Sequence, residues 1–375
     1  MKTEAATLAT LSRRDFQRLL TLTFASAAIP STALAVSADS ESSKGPIRLH
    51  FNENPAGLSP SARKALDQML GLAWQYPDES RGLFHEDVAK LHLLSPDSIL
   101  LGNGSSELLA VASLTFGGEG RPVVIADPTY DAMAEYAGPI GAEVKRVALA
   151  RGYAHDIGKM VDAVGPRGLL YICNPNNPTG TITPKAEIRR AIENVPDQVV
   201  IVVDEAYHHY VDSPDYESVI PLVAAHSNLV VLRTFSKIYA MAGLRCGYAV
   251  AQPKTIARLR ERQARNNMNV AALLAGRASL RDVDWVAASK KRNNETRDKL
   301  IGSLEAAEFR CTPSQASFFM VELDRDSREV ARAMRDRGLL VGRPFPPMTR
   351  YLRVSIGTPE QMDRFVEEFG KVMSR

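Results

Sequence analysis

Cysteine, tryptophan and net charge are all scarce in this 375-residue chain. Its three cysteines, Cys173, Cys246 and Cys311, form neither a CxxC pair nor a Cys/His cluster with zinc spacing, so the sequence offers no support for a structural metal. Their odd number argues against a purely intramolecular disulfide framework, and their apolar or motif neighbours point to buried free thiols. The formal net charge is only +3, and no run of five like charges occurs. Composition therefore gives no footing to nucleic-acid binding. Low-complexity tracts and short repeats are missing too. What remains is ordinary globular composition, 45% hydrophobic and 24% charged, on a chain long enough for two or three compact units.

The first residues read as an address. Ser12-Arg13-Arg14-Asp15-Phe16-Gln17-Arg18 precedes a moderately apolar stretch at 19–29, and Ala33-Leu34-Ala35 follows. This is the charged, apolar and small-residue layout of an export signal. The paired arginines before Phe16 resemble the twin-arginine class. The stretch is too short and too rich in Thr, Ser and Ala for a membrane span; a surface helix or a retained anchor is the alternative. Residues 1–35 are thus expected to be a signal peptide read by the twin-arginine export machinery, which places the protein in the periplasm. Residues 36–45 are expected to form a linker.

Short runs rich in Val, Ile and Leu recur at 123–126, 169–173, 199–203 and 229–232. They do not alternate with polar residues, which predicts strands buried on both faces. Helix-like patterns lie between them, such as 183–195, with Thr183 as its expected cap and Pro184 in the first turn. The alternation predicts a mostly parallel α/β sheet. Each run leads into polar or reactive residues: Asp127-Pro128-Thr129-Tyr130, Asn174-Pro175-Asn176-Asn177-Pro178-Thr179-Gly180, Asp204-Glu205-Ala206-Tyr207 and Arg233-Thr234-Phe235-Ser236-Lys237. Open α/β sheets bind ligands beyond the carboxyl ends of their strands, so four such endings predict one site. Upstream, a short strand at 99–101 precedes Gly102-Asn103-Gly104-Ser105-Ser106-Glu107 and a helical pattern at 108–116. A helix start after glycines can cradle a phosphate; a simple turn capped by Ser105 or Ser106 fits the same residues.

Together with Asn52-Glu53-Asn54-Pro55, Tyr76-Pro77-Asp78, 236–245 and 351–358, these stretches resemble the class I/II, fold-type I aminotransferases dependent on pyridoxal 5′-phosphate (PLP), and within them the histidinol-phosphate aminotransferase-like branch. The motifs span nearly the whole mature chain in family order, including the eight-residue step from Lys237 to Arg245. The resemblance implies the PLP-dependent transferase (aspartate aminotransferase-like) fold. A large PLP-binding domain at 76–285 would hold a mostly parallel seven-stranded sheet. A small α+β domain would combine 46–75 with 286–375, and a long helix from about 282 to 307 would link the two.

The resemblance also implies roles. Lys237 would hold the cofactor through its amine and then move protons; Asp204 would pair with the ring nitrogen; Tyr207 and Asn177 would bind the ring's phenolic oxygen. Tyr130 would stack on the ring, while Ser105, Ser106, Ser236 and Arg245 would bind the phosphate. Tyr76 would reach the phosphate in a partner subunit, implying a homodimer. Arg353 would grip the substrate's α-carboxylate, with Asn52 and Arg343 also near the substrate. Several of these residues have plainer readings: Asn177 in a turn, Tyr130 and Tyr207 in packing, Asp204 capping a strand-end turn and Arg353 on a strand surface.

Two departures stand out. Ala56 occupies a position where many relatives carry an aromatic residue, and Arg343 lies one residue out of register with the arginine that relatives use for histidinol phosphate. With the export signal, these point away from histidinol phosphate. The expectation is therefore transamination between an amino acid, or an amino-acid-like compound, and a 2-oxo acid outside the cytoplasm. Decarboxylation or oxidation of an amino acid on the same scaffold is the alternative, and a non-catalytic exported binding protein the alternative of another class.

Overall fold

The computed structural model describes residues 45–374. The expected signal peptide, and the expected linker apart from Gly45, lie outside the described residues. Numbered in chain order, the strands are β1 (Ile47–Leu49), β2 (Ile99–Gly102), β3 (Val123–Asp127), β4 (Val144–Ala148), β5 (Gly168–Cys173), β6 (Val199–Asp204), β7 (Leu229–Thr234), β8 (Gly247–Ala251), β9 (Phe318–Glu322), β10 (Leu339–Val341) and β11 (Tyr351–Ser355).

Seven of them form one sheet in the order β2-β8-β7-β6-β5-β3-β4. Neighbours are parallel except at β8, which runs antiparallel to both β2 and β7. Side chains alternate across a strand, so each strand feeds two cores. Val124, Ala126, Leu170, Ile172, Ile201 and Val203 pack on one face, with residues of helices Ile157–Val164, Lys185–Asn194 and Val270–Ser279. Val123, Ile125, Leu169, Tyr171, Val200 and Val202 pack on the other, with residues of helices Ser105–Phe116, Ala132–Ala137 and Pro253–Arg260. Burial on both faces explains the unbroken apolar runs, and the mostly parallel seven-stranded sheet is as expected.

A third core joins the two ends of the described chain. It gathers Leu49, Leu300, Phe319, Val321, Val330, Leu352, Val354 and Phe365. Here β1 pairs in parallel with β10, and β11 is antiparallel to β9. Gly342 N–H donates to the Arg353 carbonyl at 2.8 Å, tying the segment after β10 to β11.

Some local expectations shift. The helix expected at 183–195 is Lys185–Asn194, with Pro184 at its N-cap and no side-chain cap. Thr183 is engaged elsewhere: its Oγ1 accepts from His155 N–H at 3.0 Å, and its own N–H donates to Asn174 Oδ1 at 2.9 Å. The long helix is Val283–Ala306. Of the three thiols, Cys173 and Cys246 are buried, while Cys311 is only half-buried. Among the described residues, no helix is long and apolar enough to cross a membrane.

Candidate active site

The segments that follow β3, β5, β6 and β7 open onto one cavity of about 820 Å³. Their strands are neighbours in the sheet, so four sequence-distant endings become adjacent. Asp204 closes β6 and is 2% exposed. Its Oδ2 accepts from the Tyr171 hydroxyl and its Oδ1 from the Ala206 N–H, both at 3.1 Å. Burial nevertheless pushes this carboxyl up to about 6, because two neutral donors do not replace a cation.

Lys237 lies on the cavity wall, where its Nζ donates to the Phe51 carbonyl at 3.2 Å and stands 5.5 Å from the Tyr207 ring centre. Burial, then the nearby charge of Arg353, holds its amine down to about 8. The Tyr207 hydroxyl accepts from Asn52 Nδ2 at 3.0 Å, and burial pushes that phenol upward. Asn52 is anchored in turn by β11: its N–H donates to Ser355 Oγ, and the Ser355 hydroxyl donates to Asn52 Oδ1, both at 2.9 Å. Asn52 sits in the left-handed backbone region, at φ 55, which Asn tolerates better than most residues.

The turn after β5 is clipped to the turn after β3. Thr129 Oγ1 donates to Asn176 Oδ1 at 2.7 Å, and Asn176 Nδ2 donates to the Pro128 carbonyl at 3.1 Å. This holds Asn177 on the cavity wall, so it serves both as a turn residue and as a lining residue. Tyr130 also lines the cavity; burial raises its phenol, and a hydrogen bond with Ser106 opposes that shift.

An anion cradle stands at the start of helix Ser105–Phe116. Gly104 is its N-cap, at φ 80 with no side-chain cap, so Ser105 and Ser106 lie in the first turn rather than capping it. A Cβ on Gly104 would collide with the Arg245 guanidinium, and one on Gly247 would lie 2.8 Å from the Ser105 nitrogen. Both glycines therefore permit a close approach of cation and helix start. Arg245 Nη1 donates to Ser236 Oγ at 3.3 Å and to the Ala242 carbonyl at 3.0 Å. Free N–H groups, two serines and a guanidinium suit a phosphate.

On the opposite wall, Arg353 is buried on β11. Its Nη2 donates to the His50 carbonyl and its Nη1 to Asn177 Oδ1, each at 2.6 Å. Its Nε is buried without a partner. The guanidinium carbon stands 4.6 Å from the Phe345 ring centre and 5.5 Å from that of Phe318. Burial lowers it to about 10, leaving it charged at neutral pH. Arg343 is exposed and stands 4.5 Å from the same Phe345 ring.

The sequence-expected residues thus line one cavity, with a single exception. Tyr76 is 79% exposed and outside the lining. Sequence reasoning missed Tyr171, Thr129 and Phe345, which hold Asp204, the Asn176 turn and Arg353. It also missed Arg328, Arg332 and Arg335, which line the outer cavity from helix Ser327–Arg335. Their i, i+4, i+7 spacing was the available signal.

A buried carboxylate in no direct ion pair among the described residues, an amine of lowered basicity and an anion cradle fit a flat cofactor with a basic ring nitrogen at one end and a phosphate at the other. PLP has that chemistry. A family profile described as aminotransferase class I and II matches residues 44–369. The histidinol-phosphate aminotransferase of Moorella thermoacetica is 37% identical over 335 residues, covering 88% of this chain and 86% of that one. The crystal structure of histidinol-phosphate aminotransferase from Sinorhizobium meliloti in complex with pyridoxal 5′-phosphate superposes with a TM-score of 0.82 at 27% identity, covering 88% of this chain and 91% of that one. Aspartate aminotransferase from Thermus thermophilus, at 20% identity, a TM-score of 0.74 and coverage of 88% and 92%, shares the fold.

Proposed function

This chain belongs to the class I and II aminotransferase family and uses PLP as its cofactor, and on that premise we propose that it moves an amino group between an amino acid, or an amino-acid-like compound, and a 2-oxo acid outside the cytoplasm. The observation that carries the site assignment is the placing of Lys237, Asp204 and the Arg245 cradle on one cavity facing Arg353. When bound, PLP supplies an electrophilic carbon for the substrate's amine and a ring that takes up the electrons released at Cα.

The chain's own residues bind, orient and move protons. Lys237 would hold the cofactor by its amine and, when free, would move a proton at the substrate's Cα; an amine at about 8 is suited to both directions near neutral pH. Asp204 would pair with the ring nitrogen and keep it protonated, which would give this buried carboxylate a charged partner in direct contact. Tyr207 and Asn177 would hold the phenolic oxygen, and Tyr130 would pack on the ring. Ser105, Ser106, Ser236 and Arg245 bind the phosphate. Arg353 receives the α-carboxylate with Asn52 beside it, and Arg343 lies further out. Tyr76, exposed in a single chain, completes the site of a second subunit in a homodimer.

The test is a single-turnover donor screen. An amino donor should convert the bound cofactor to its pyridoxamine form, read by absorbance, and a 2-oxo acid should restore it. Release of carbon dioxide or peroxide without that conversion would instead mark a decarboxylase or an oxidase. The names of the relatives give one further reading, histidinol phosphate as donor, and the same screen includes it. Export rests on Arg13 and Arg14: changing both to Lys should trap the precursor in the cytoplasm, and unchanged localisation rejects the twin-arginine route.

A further inference from the structure

One buried pair of charges takes no part in the chemistry described above. Glu205 follows Asp204 at the end of β6, and Arg233 lies near the end of β7, four residues before Lys237. Their side chains are 1% and 5% exposed. Arg233 Nε donates to Glu205 Oε2 at 2.7 Å, and its Nη2 lies 2.6 Å from the same oxygen. The Ser218 hydroxyl donates to Oε2 at 2.9 Å, and the Val219 N–H to Oε1 at 2.8 Å. Arg233 Nη2 also donates to Ser218 Oγ at 3.0 Å.

A buried ion pair adds little net stability, because stripping both charges of water offsets most of their attraction. What this pair fixes is place. β6 and β7 are parallel, with Asp204 in register with Leu232, and the Glu205 N–H donates to the Leu232 carbonyl at 3.0 Å. Arg233 shares the sheet face of Val231, which packs in one core, while Asp204 bonds to Tyr171, which packs in the other. Consecutive carboxylates therefore point to opposite faces. Glu205 is gripped by a cation, a hydroxyl and a backbone N–H, whereas Asp204 has two neutral donors. The backbone that aims Asp204 into the cavity is thus anchored from behind, through Glu205. The same pair ties it to β7, which ends three residues before Lys237.

We propose that Glu205 and Arg233 are positioning residues for the cofactor: their pair, clamped across β6 and β7, holds Asp204 opposite the cofactor's ring nitrogen. The inference rests on the reading of Asp204 as that nitrogen's partner.

The test measures binding to the cofactor-free protein by equilibrium dialysis, for PLP and for its 1-deaza analogue, in which a C–H replaces the ring nitrogen. Both molecules keep the aldehyde, phenol and phosphate, so the ratio of their affinities isolates the nitrogen. Asp204→Asn should lower the ratio about ten-fold or more, the scale of a hydrogen bond between charged groups. An unchanged ratio there overturns the reading of Asp204 itself. Arg233→Met and Glu205→Gln each leave one charge buried alone, so both should melt lower and reduce the ratio several-fold. Glu205→Leu with Arg233→Met removes both charges; its melting temperature should return toward the parent's while the ratio stays low. A pair that served stability alone would recover both together. Arg233→Lys keeps the charge but loses the planar fork, and it carries the test if the double variant does not fold: its ratio should fall as well. With Asp204→Asn behaving as expected, a parent-like ratio in Arg233→Met and Arg233→Lys, or a ratio restored along with stability in the double variant, overturns the positioning role.

Discussion

On the floor of the cavity Asp204 is held by Tyr171 and Ala206, Tyr207 by Asn52, and Arg245 by Ser236, whereas on the outer wall Arg332 and Arg335 have no carboxylate among the described residues to hold. The floor hangs from the ends of strands buried on both faces, so its side chains are fixed before any ligand arrives. The wall is one exposed helical face and a loop, whose long guanidinium chains are open to solvent. Fixed geometry suits chemistry that must place atoms to a fraction of an ångström; exposed charge suits the sorting of one substrate from another. The contrast separates what the cofactor demands from what the donor demands.

The sharpest way to break it is at Lys237. Lys237→Ala should lower transamination by roughly 10⁴-fold while circular dichroism and thermal unfolding stay near the parent's, because the loss is of a proton carrier and nucleophile. Retained turnover would remove Lys237 from the chemistry and the floor from its assigned role.

Asp204→Asn should come next, with a loss of roughly 10²–10³-fold in kcat, the scale of removing one preorganised charge interaction. The same change should stabilise the cofactor-free protein. The folded-state carboxyl stands at about 6, above its ordinary 3.8, so the folded state binds this proton more tightly than the unfolded one. Stability is then lost as pH rises from about 4 to 6, and the penalty at neutral pH is about 3 kcal/mol. Thermal melts of the two cofactor-free proteins should differ by a few degrees at pH 7 and converge near pH 4. A variant that melts lower at pH 7 would mean that the carboxylate is already satisfied by the chain.

The smallest of the three effects belongs to the boundary between floor and wall. Arg353→Lys should raise KM for amino acids about 10–100-fold with cofactor absorbance unchanged, since an ammonium cannot keep the bonds to His50 and Asn177 and also present a fork to a carboxylate. A fall in kcat at constant KM would instead place Arg353 with the floor.

Much of the floor was legible because strands such as β5 and β6 read as continuous apolar runs and their chemistry sits on the very next residues. The supports behind it were not. Tyr171 lies inside β5, three residues before the motif begins, and nothing in an apolar run marks the one hydroxyl aimed at Asp204. Thr183 reads as a helix cap because capping is local, yet its hydroxyl is taken by the distant His155. The edge strand β4 escaped notice because Lys145 and Arg146 interrupt it, and charge is what an exposed edge tolerates. The arginines of helix Ser327–Arg335 were visible in spacing, but a charged helical face ordinarily means solvent; only the folded chain shows it turned toward a cavity.

The bonds between Asn52 and Ser355 join residues 303 positions apart, and β1 finds its partner in β10. A chain still on the ribosome can hold every motif up to Lys237 and yet lack Arg353 and the strand that anchors Asn52. Contacts of such long sequence separation form late, after the intervening loop has been closed. The cavity able to receive both cofactor and donor is therefore completed only after the last two strands have been made and have paired with the segment around Asn52.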